Sequence, residues 1–184
     1  FPYTTLFRSG RLPGACLGRF LPFPLASPRA GRYAGRMESE LIAHLRARLP
    51  SHPLLRLGIG DDAAVLELGG RHGYVVTVDM VNDGVDFIVG EADPLRVGRK
   101  ALAVNLSDLA AMAARPIAGV VALVLPRHGA LDLAVDLYRG MLPLAERYEL
   151  AIAGGDTNCW DGPLAVSATL IGEVTENGPL RRDG

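Results

Sequence analysis

Five aspartates stand where a carboxylate can do chemistry. Asp61 and Asp62 follow Gly58-Ile59-Gly60, Asp79 closes a β-branched run, Asp156 follows Gly154-Gly155, and Asp108 lies inside an amphipathic stretch. Asp108 is the most informative, because aspartate is a poor helix former away from a cap. On a helical wheel Ala101, Asn105, Asp108 and Met112 share a face beside the Leu102/Leu106/Leu109 stripe. Arg99 and Lys100 fall on different sides of that wheel, so a bound cation is an alternative partner for Asp108. Several carboxylates do not gather in ionised form without compensation. Mg²⁺ suits that role: it takes oxygen ligands, keeps waters and bridges carboxylates to phosphates. The glycines fit the same chemistry, since they let backbone come close to a phosphate. Taken singly, each aspartate reads equally well as a turn or cap residue, and that reading suffices for Asp61, Asp93 and Asp161.

The elements that must carry these residues follow from the apolar pattern. Leu41, Ile42, Leu45 and Leu49 predict a helix over 38–49, stopped by Pro50. Residues 58–68 read as a glycine turn entering a short strand, and 74–80 as a β-branched strand ending at Asp79. Asp93-Pro94 opens a long helix, with Asp93 as cap and Pro94 at the first helical position. A continuous apolar strand over 116–125 precedes a second amphipathic helix over 132–149, with Pro143 as a candidate kink. A short buried strand is expected at 150–153, ending in Gly154-Gly155-Asp156, and an alternating strand at 164–174. The pattern predicts an α+β fold: a mixed, largely antiparallel sheet with the long helices on one face.

Composition narrows the function classes. The 184 residues are 49% apolar with a net charge of −1, which argues against a disordered chain and gives no basic bias toward nucleic acid. The longest apolar run, 116–126, is far short of a bilayer span, so no membrane role is expected and the cytoplasm is the default compartment. No Walker loop, no GxGxxG followed by an acid, no HExxH and no GxSxG occurs. Cys159 has no CxxC partner and reads as a bystander beside Trp160. The charge is unevenly spread. Residues 1–36 hold six arginines, no acid and five of the 13 prolines, whereas residues 37–184 hold all 20 acids against 13 basic residues. Residues 1–36 are expected to be a disordered, non-native leader: 1–9 read as a translated sequencing adapter, the rest as translated upstream sequence, with Met37 as the true start. The domain is then 37–178, with 179–184 opening a linker.

Four segments in order, GIGDDAAVL (58–66), TVDM (77–80), GRKALAVNLSDLAAMAARP (98–116) and GGDT (154–157), resemble the thiamine-monophosphate kinase family. That family belongs to the superfamily of aminoimidazole ribonucleotide synthetase, selenophosphate synthetase and the hydrogenase maturation protein HypE. The likeness covers essentially all of 37–184. It implies an α+β N-terminal domain whose sheet pairs with that of a second subunit in a homodimer, followed by a further α/β domain that this chain lacks. The implied reaction is ATP-dependent phosphorylation of thiamine monophosphate to thiamine diphosphate, assisted by several Mg²⁺ ions.

Carried over position by position, the resemblance implies metal binding by Asp62, Thr77, Asp79, Asp108 and Asp156, with Val78 contributing its backbone. It further implies nucleotide contacts from Gly155, Asp156 and Arg182. Asp86 would face the substrate but departs from the pattern, since the family commonly has histidine there (GVHF, against GVDF at 84–87). Two alternatives share the residues: ATP chemistry of the selenophosphate synthetase or HypE kind, and a non-catalytic dimerisation and nucleotide-binding module. The first lacks the expected N-terminal reactive Cys and Lys.

Overall fold

The structure is a computed structural model describing residues 40–59, 61–69 and 73–180. The leader expected at 1–36, the start at Met37 and the phosphate contact expected of Arg182 lie outside the described residues. Residues 40–46 form a helical segment, α1. There follow β1 (Leu55–Leu57), β2 (Ala64–Leu66), β3 (Tyr74–Asn82), α2 (Pro94–Ala111), β4 (Ala114–Pro126), α3 (Ala130–Arg147), β5 (Ala151–Trp160) and β6 (Ala165–Val174). The strands make one sheet in the order β1-β2-β3-β6-β4-β5, antiparallel except for the parallel β4–β5 pair. Both α2 and α3 pack on the same face, as an α+β reading requires.

The period of two on each strand divides the sheet into two unlike faces. Val75, Thr77 and Val81 on β3, Val166, Ala168 and Leu170 on β6, and Val121, Leu123 and Leu125 on β4 are buried beneath the helices. Leu102 and Leu109 of α2 and Leu137 and Met141 of α3 close that core from above. The helices cross closely at Gly98, where any Cβ would strike the Leu137 carbonyl. α2 starts as its sequence dictates: Asp93 Oδ1 accepts from the Leu95 amide at 3.0 Å and Pro94 is its first residue. α3 continues past Pro143 to Arg147.

The strand expected to be short and buried at 150–153 is corrected. β5 runs from Ala151 to Trp160, is largely exposed, and forms the edge of the sheet. Gly154-Gly155 does not end it, because the absent side chain is what lets it proceed. A Cβ on Gly155 would collide with the Val121 carbonyl oxygen, so glycine permits the parallel ladder with β4 to continue to Trp160. Among the described residues no helix is long and apolar enough to cross a membrane.

Candidate functional site

The site is built where α2 lies over β3. Alternation places Thr77 and Asp79 on the helix-covered side of the strand, between buried Val75 and Val81. Thr77 is 4% exposed, and its Oγ1 donates to Asp108 Oδ2 at 2.8 Å. This bond answers the question the helical wheel raised about Asp108: its partner within the chain is a buried hydroxyl. Asp79 sits against the same carboxylate. Burial raises the Asp79 pKa above its ordinary 3.8, and the charge of Asp108, a side-chain hydrogen bond with Asp108 and the charge of Asp86 raise it further. Two carboxylates that act on each other in this way call for either a shared proton or a cation nearby.

The other expected site residues lie apart from this pair. Asp62 is in the turn entering β2, where its backbone amide donates to Asp61 Oδ1 at 3.0 Å. Two residues further on, Ala64 pairs with Val76, so the turn lies toward the same stretch of β3. Val78 points to the opposite face of the sheet and is 60% exposed. Asp156 lies with it on that face. The registers join Met80, Ser167, Ala122 and Asp156 in one cross-strand row, and Asp79, Ala168, Val121 and Gly155 in the next. Asp156 is therefore on the far edge strand, on the face away from Asp79, and three strand spacings distant, roughly 14 Å. It accepts from Asn158 Nδ2 at 3.2 Å. Among the described residues no three of His, Cys, Asp or Glu converge as a ready metal cage.

Asp86 borders a cavity of about 440 Å³ formed with Gly84, Phe87, Ile88 and Glu91. Its carboxylate is committed within the chain. Oδ2 accepts from the Asn82 amide at 2.8 Å, Oδ1 is 3.5 Å from Lys100 Nζ, and Lys100 also donates to the Asp86 carbonyl at 3.0 Å. Asp86 thus ties the loop after β3 to the start of α2. One further polar residue was visible on the Asp108 face of the wheel without being assigned a role: Asn105, wholly buried.

The donor set at the pair is two carboxylates, one hydroxyl and, one turn along α2, a buried amide oxygen without a partner. An all-oxygen set of this kind fits Mg²⁺, which takes one or two carboxylates from protein and completes its shell with waters and phosphate.

Residues 60–174 match the family described as AIR synthase related protein, N-terminal domain. The chain belongs to that family. Among proteins similar to this member is the thiamine-monophosphate kinase of Rhodopirellula baltica, 43% identical over 143 residues, which cover 74% of this chain and 45% of the relative. The solved structure of AaThiL complexed with AMPPCP and TMP superposes with a TM-score of 0.66 at 30% identity, covering 74% of this chain and 41% of that one. The thiamine-monophosphate kinase structure from Stenotrophomonas maltophilia has a TM-score of 0.57 at 44% identity, with 77% and 44% covered. The chain therefore spans less than half the length of the relatives it matches.

Proposed function

We propose that this chain is the N-terminal portion of a thiamine-monophosphate kinase, transferring the terminal phosphoryl group of ATP to the phosphate of thiamine monophosphate in the cytoplasm. The observation that carries the reading is the Asp79–Asp108 pair bonded to Thr77, in a chain 43% identical to such a kinase over 143 residues.

The chemistry asks little of the protein beyond positioning. The acceptor is a phosphate oxygen already ionised at neutral pH, so no general base is needed, and the obstacle is bringing two polyanions into line. When bound, Mg²⁺ would supply neutralisation of the phosphate charge. Asp79 and Asp108 would hold it, and Thr77 orients Asp108 by donating to Oδ2, leaving the remaining lone pairs of that carboxylate for the cation. Asp62 and the Val78 backbone serve the margins of this site. Gly155 and Asp156, on the other face, serve the nucleotide together with Arg182. Asp86 shapes the substrate-facing loop through Asn82 and Lys100, and its carboxylate lines the cavity at the position where the family commonly has histidine.

The open sheet face supports the homodimer. Val78, Met80, Val120 and Ile171 are exposed there together, an apolar surface of the kind that a second copy covers.

The test uses the protein expressed from its complete reading frame, incubated with Mg-ATP and thiamine monophosphate, with thiamine diphosphate followed by chromatography. Asp108→Asn is expected to lose at least about 100-fold in turnover, the scale of removing a transition-state charge contact, with its circular dichroism unchanged. Full turnover in that variant would remove Asp108 from the site. ATP consumption without diphosphate formation would overturn the choice of acceptor.

A further inference from the structure

Among the described residues, one buried side-chain polar atom has no hydrogen-bond partner: Asn105 Oδ1. The residue is 0% exposed and sits in an otherwise apolar stretch of α2, between Leu102, Leu106 and Leu109. Its amide cannot simply be turned round. Nδ2 donates to the Ala101 carbonyl at 3.1 Å, and exchanging the two amide atoms would set Oδ1 against that carbonyl, acceptor against acceptor. Leucine, the apolar residue of the same branched shape, would remove the orphan altogether, and replacing an unmet polar group in this way is often neutral or stabilising.

Three contacts show what Asn105 overlies. Leu109 reaches Gly172, which pairs with Val75 near the start of β3. Asp108 bonds Thr77 in the middle of that strand. Lys100, about two turns before Asp108 on α2, reaches the Asp86 carbonyl beyond the strand's end. α2 therefore runs antiparallel to β3. Asn105, one turn before Asp108 on the same face, lies toward the part of β3 beyond Thr77, where the next residue on the helix-covered side is Asp79. The polar groups that α2 and β3 bring to this stretch are acceptors: two carboxylates and the Asn105 oxygen, with the Thr77 proton already given to Asp108. Acceptors without donors suit a cation that brings its own O–H donors. A neutral amide oxygen adds such an acceptor without a third negative charge.

We propose that Asn105 Oδ1 accepts a hydrogen bond from a water of the hydrated divalent cation held by Asp79 and Asp108, which makes Asn105 a positioning residue for that cation. This rests on reading the Asp79–Asp108 pair as a Mg²⁺ site. Mg²⁺ gives up its waters reluctantly, so a site built for it must offer acceptors to them as well as ligands to the ion. Removing such an outer partner commonly weakens metal binding about 10- to 100-fold.

The test is thermal unfolding of the full chain in EDTA and across a MgCl₂ titration, which reads cation affinity without any turnover, because a ligand of the native state raises the melting temperature. The wild type is expected to rise with Mg²⁺. Asn105→Leu is expected to match or exceed the wild-type melting temperature in EDTA and to need about 10- to 100-fold more Mg²⁺ for half its rise. Asn105→Asp restores an acceptor oxygen and is expected to melt lower in EDTA yet respond to Mg²⁺ at least as readily as wild type. If leucine is not accommodated, Asn105→Ala takes its place, its shift read from its own EDTA baseline. A wild-type midpoint in the leucine or alanine variant overturns the role of Asn105 while leaving the cation site intact. Absence of any Mg²⁺ response in the wild type overturns the cation site and this role together.

Discussion

The Thr77–Asp108 contact should be measurable as stability, and Thr77→Val isolates it. Valine keeps the branched shape and the β preference of the strand position and removes only the hydroxyl. A buried hydrogen bond to a charged group contributes about 1.5–3 kcal/mol, and at 2.8 Å with Thr77 4% exposed this one is short and shielded from water. The added methyl regains about 0.8 kcal/mol of burial. The net loss is then about 1–2 kcal/mol. In a chain of this length each kcal/mol moves the melting temperature by about 2–4 °C, so Thr77→Val should melt about 2–8 °C below wild type in EDTA. A double-mutant cycle with Asp108→Ala, followed by urea unfolding, separates the bond from its surroundings. The coupling energy should recover about 1.5–3 kcal/mol. A valine variant as stable as wild type, with a coupling energy near zero, would refute the bond and the orientation it gives to Asp108.

Two further predictions follow from the same geometry. Burial, and then Asp108, raise the Asp79 pKa above 3.8, so the native state binds its proton more tightly than the unfolded chain does. Cation-free stability should therefore fall as pH rises from about 3.8 through the raised native value, and stay low above it. Asp79→Asn should flatten that fall and be the more stable protein at pH 7 in EDTA; urea unfolding over a pH series giving parallel curves for the two would contradict the assignment. On the open face, Met80→Glu should leave the fold intact, since Met80 is 60% exposed, and shift a wild-type dimer to monomer in sedimentation velocity. A wild type that sediments as a monomer at tens of micromolar would remove the proposed partner.

How far these features were legible in the sequence depends on what kind of signal each leaves. The start of α2 was legible because Asp93-Pro94 carries its capping chemistry locally, and the Asp93–Leu95 bond realises it. β3 was legible from its β-branched run. β1 was not, since Leu55–Leu57 is too short to show alternation. The extent of β5 was misjudged because Gly154-Gly155 carries the same local signature whether it ends a strand or lets one press against a neighbour; the Val121 carbonyl decides between them, and it lies more than 30 residues away. At the site, Asp108 announced itself as an acid inside a helix. Thr77 did not, because a threonine in a strand is unremarked until its partner is known, and only the resemblance singled it out. The sidedness of Asp156 depends on register through three ladders, two of them carrying irregularities, at Gly119/Val120 and at Pro116/Ala118.

The distribution of positive charge leaves the pair without a basic partner from the described part of the chain, which fits the proposed cation. Lys100 is the sole lysine, and it is the basic group that α2 sends toward the end of β3. It is spent on Asp86, whose negative charge also bears on Asp79. Among the described residues no arginine or lysine forms an ion pair with Asp79 or Asp108; the arginines that pair do so with Glu67, Glu173, Asp161 and Asp136 elsewhere. The core beneath is apolar apart from Thr77, whose proton goes to Asp108, and Asn105, which brings another acceptor. A fold that brings two half-buried carboxylates together, directs its nearby cation to a neighbouring loop and adds a further lone pair carries electrostatic stress at this point. On the proposed reading a small hard cation with its waters would relieve that stress and its charge would draw in phosphate, so the local destabilisation and the proposed phosphoryl transfer would have one physical cause.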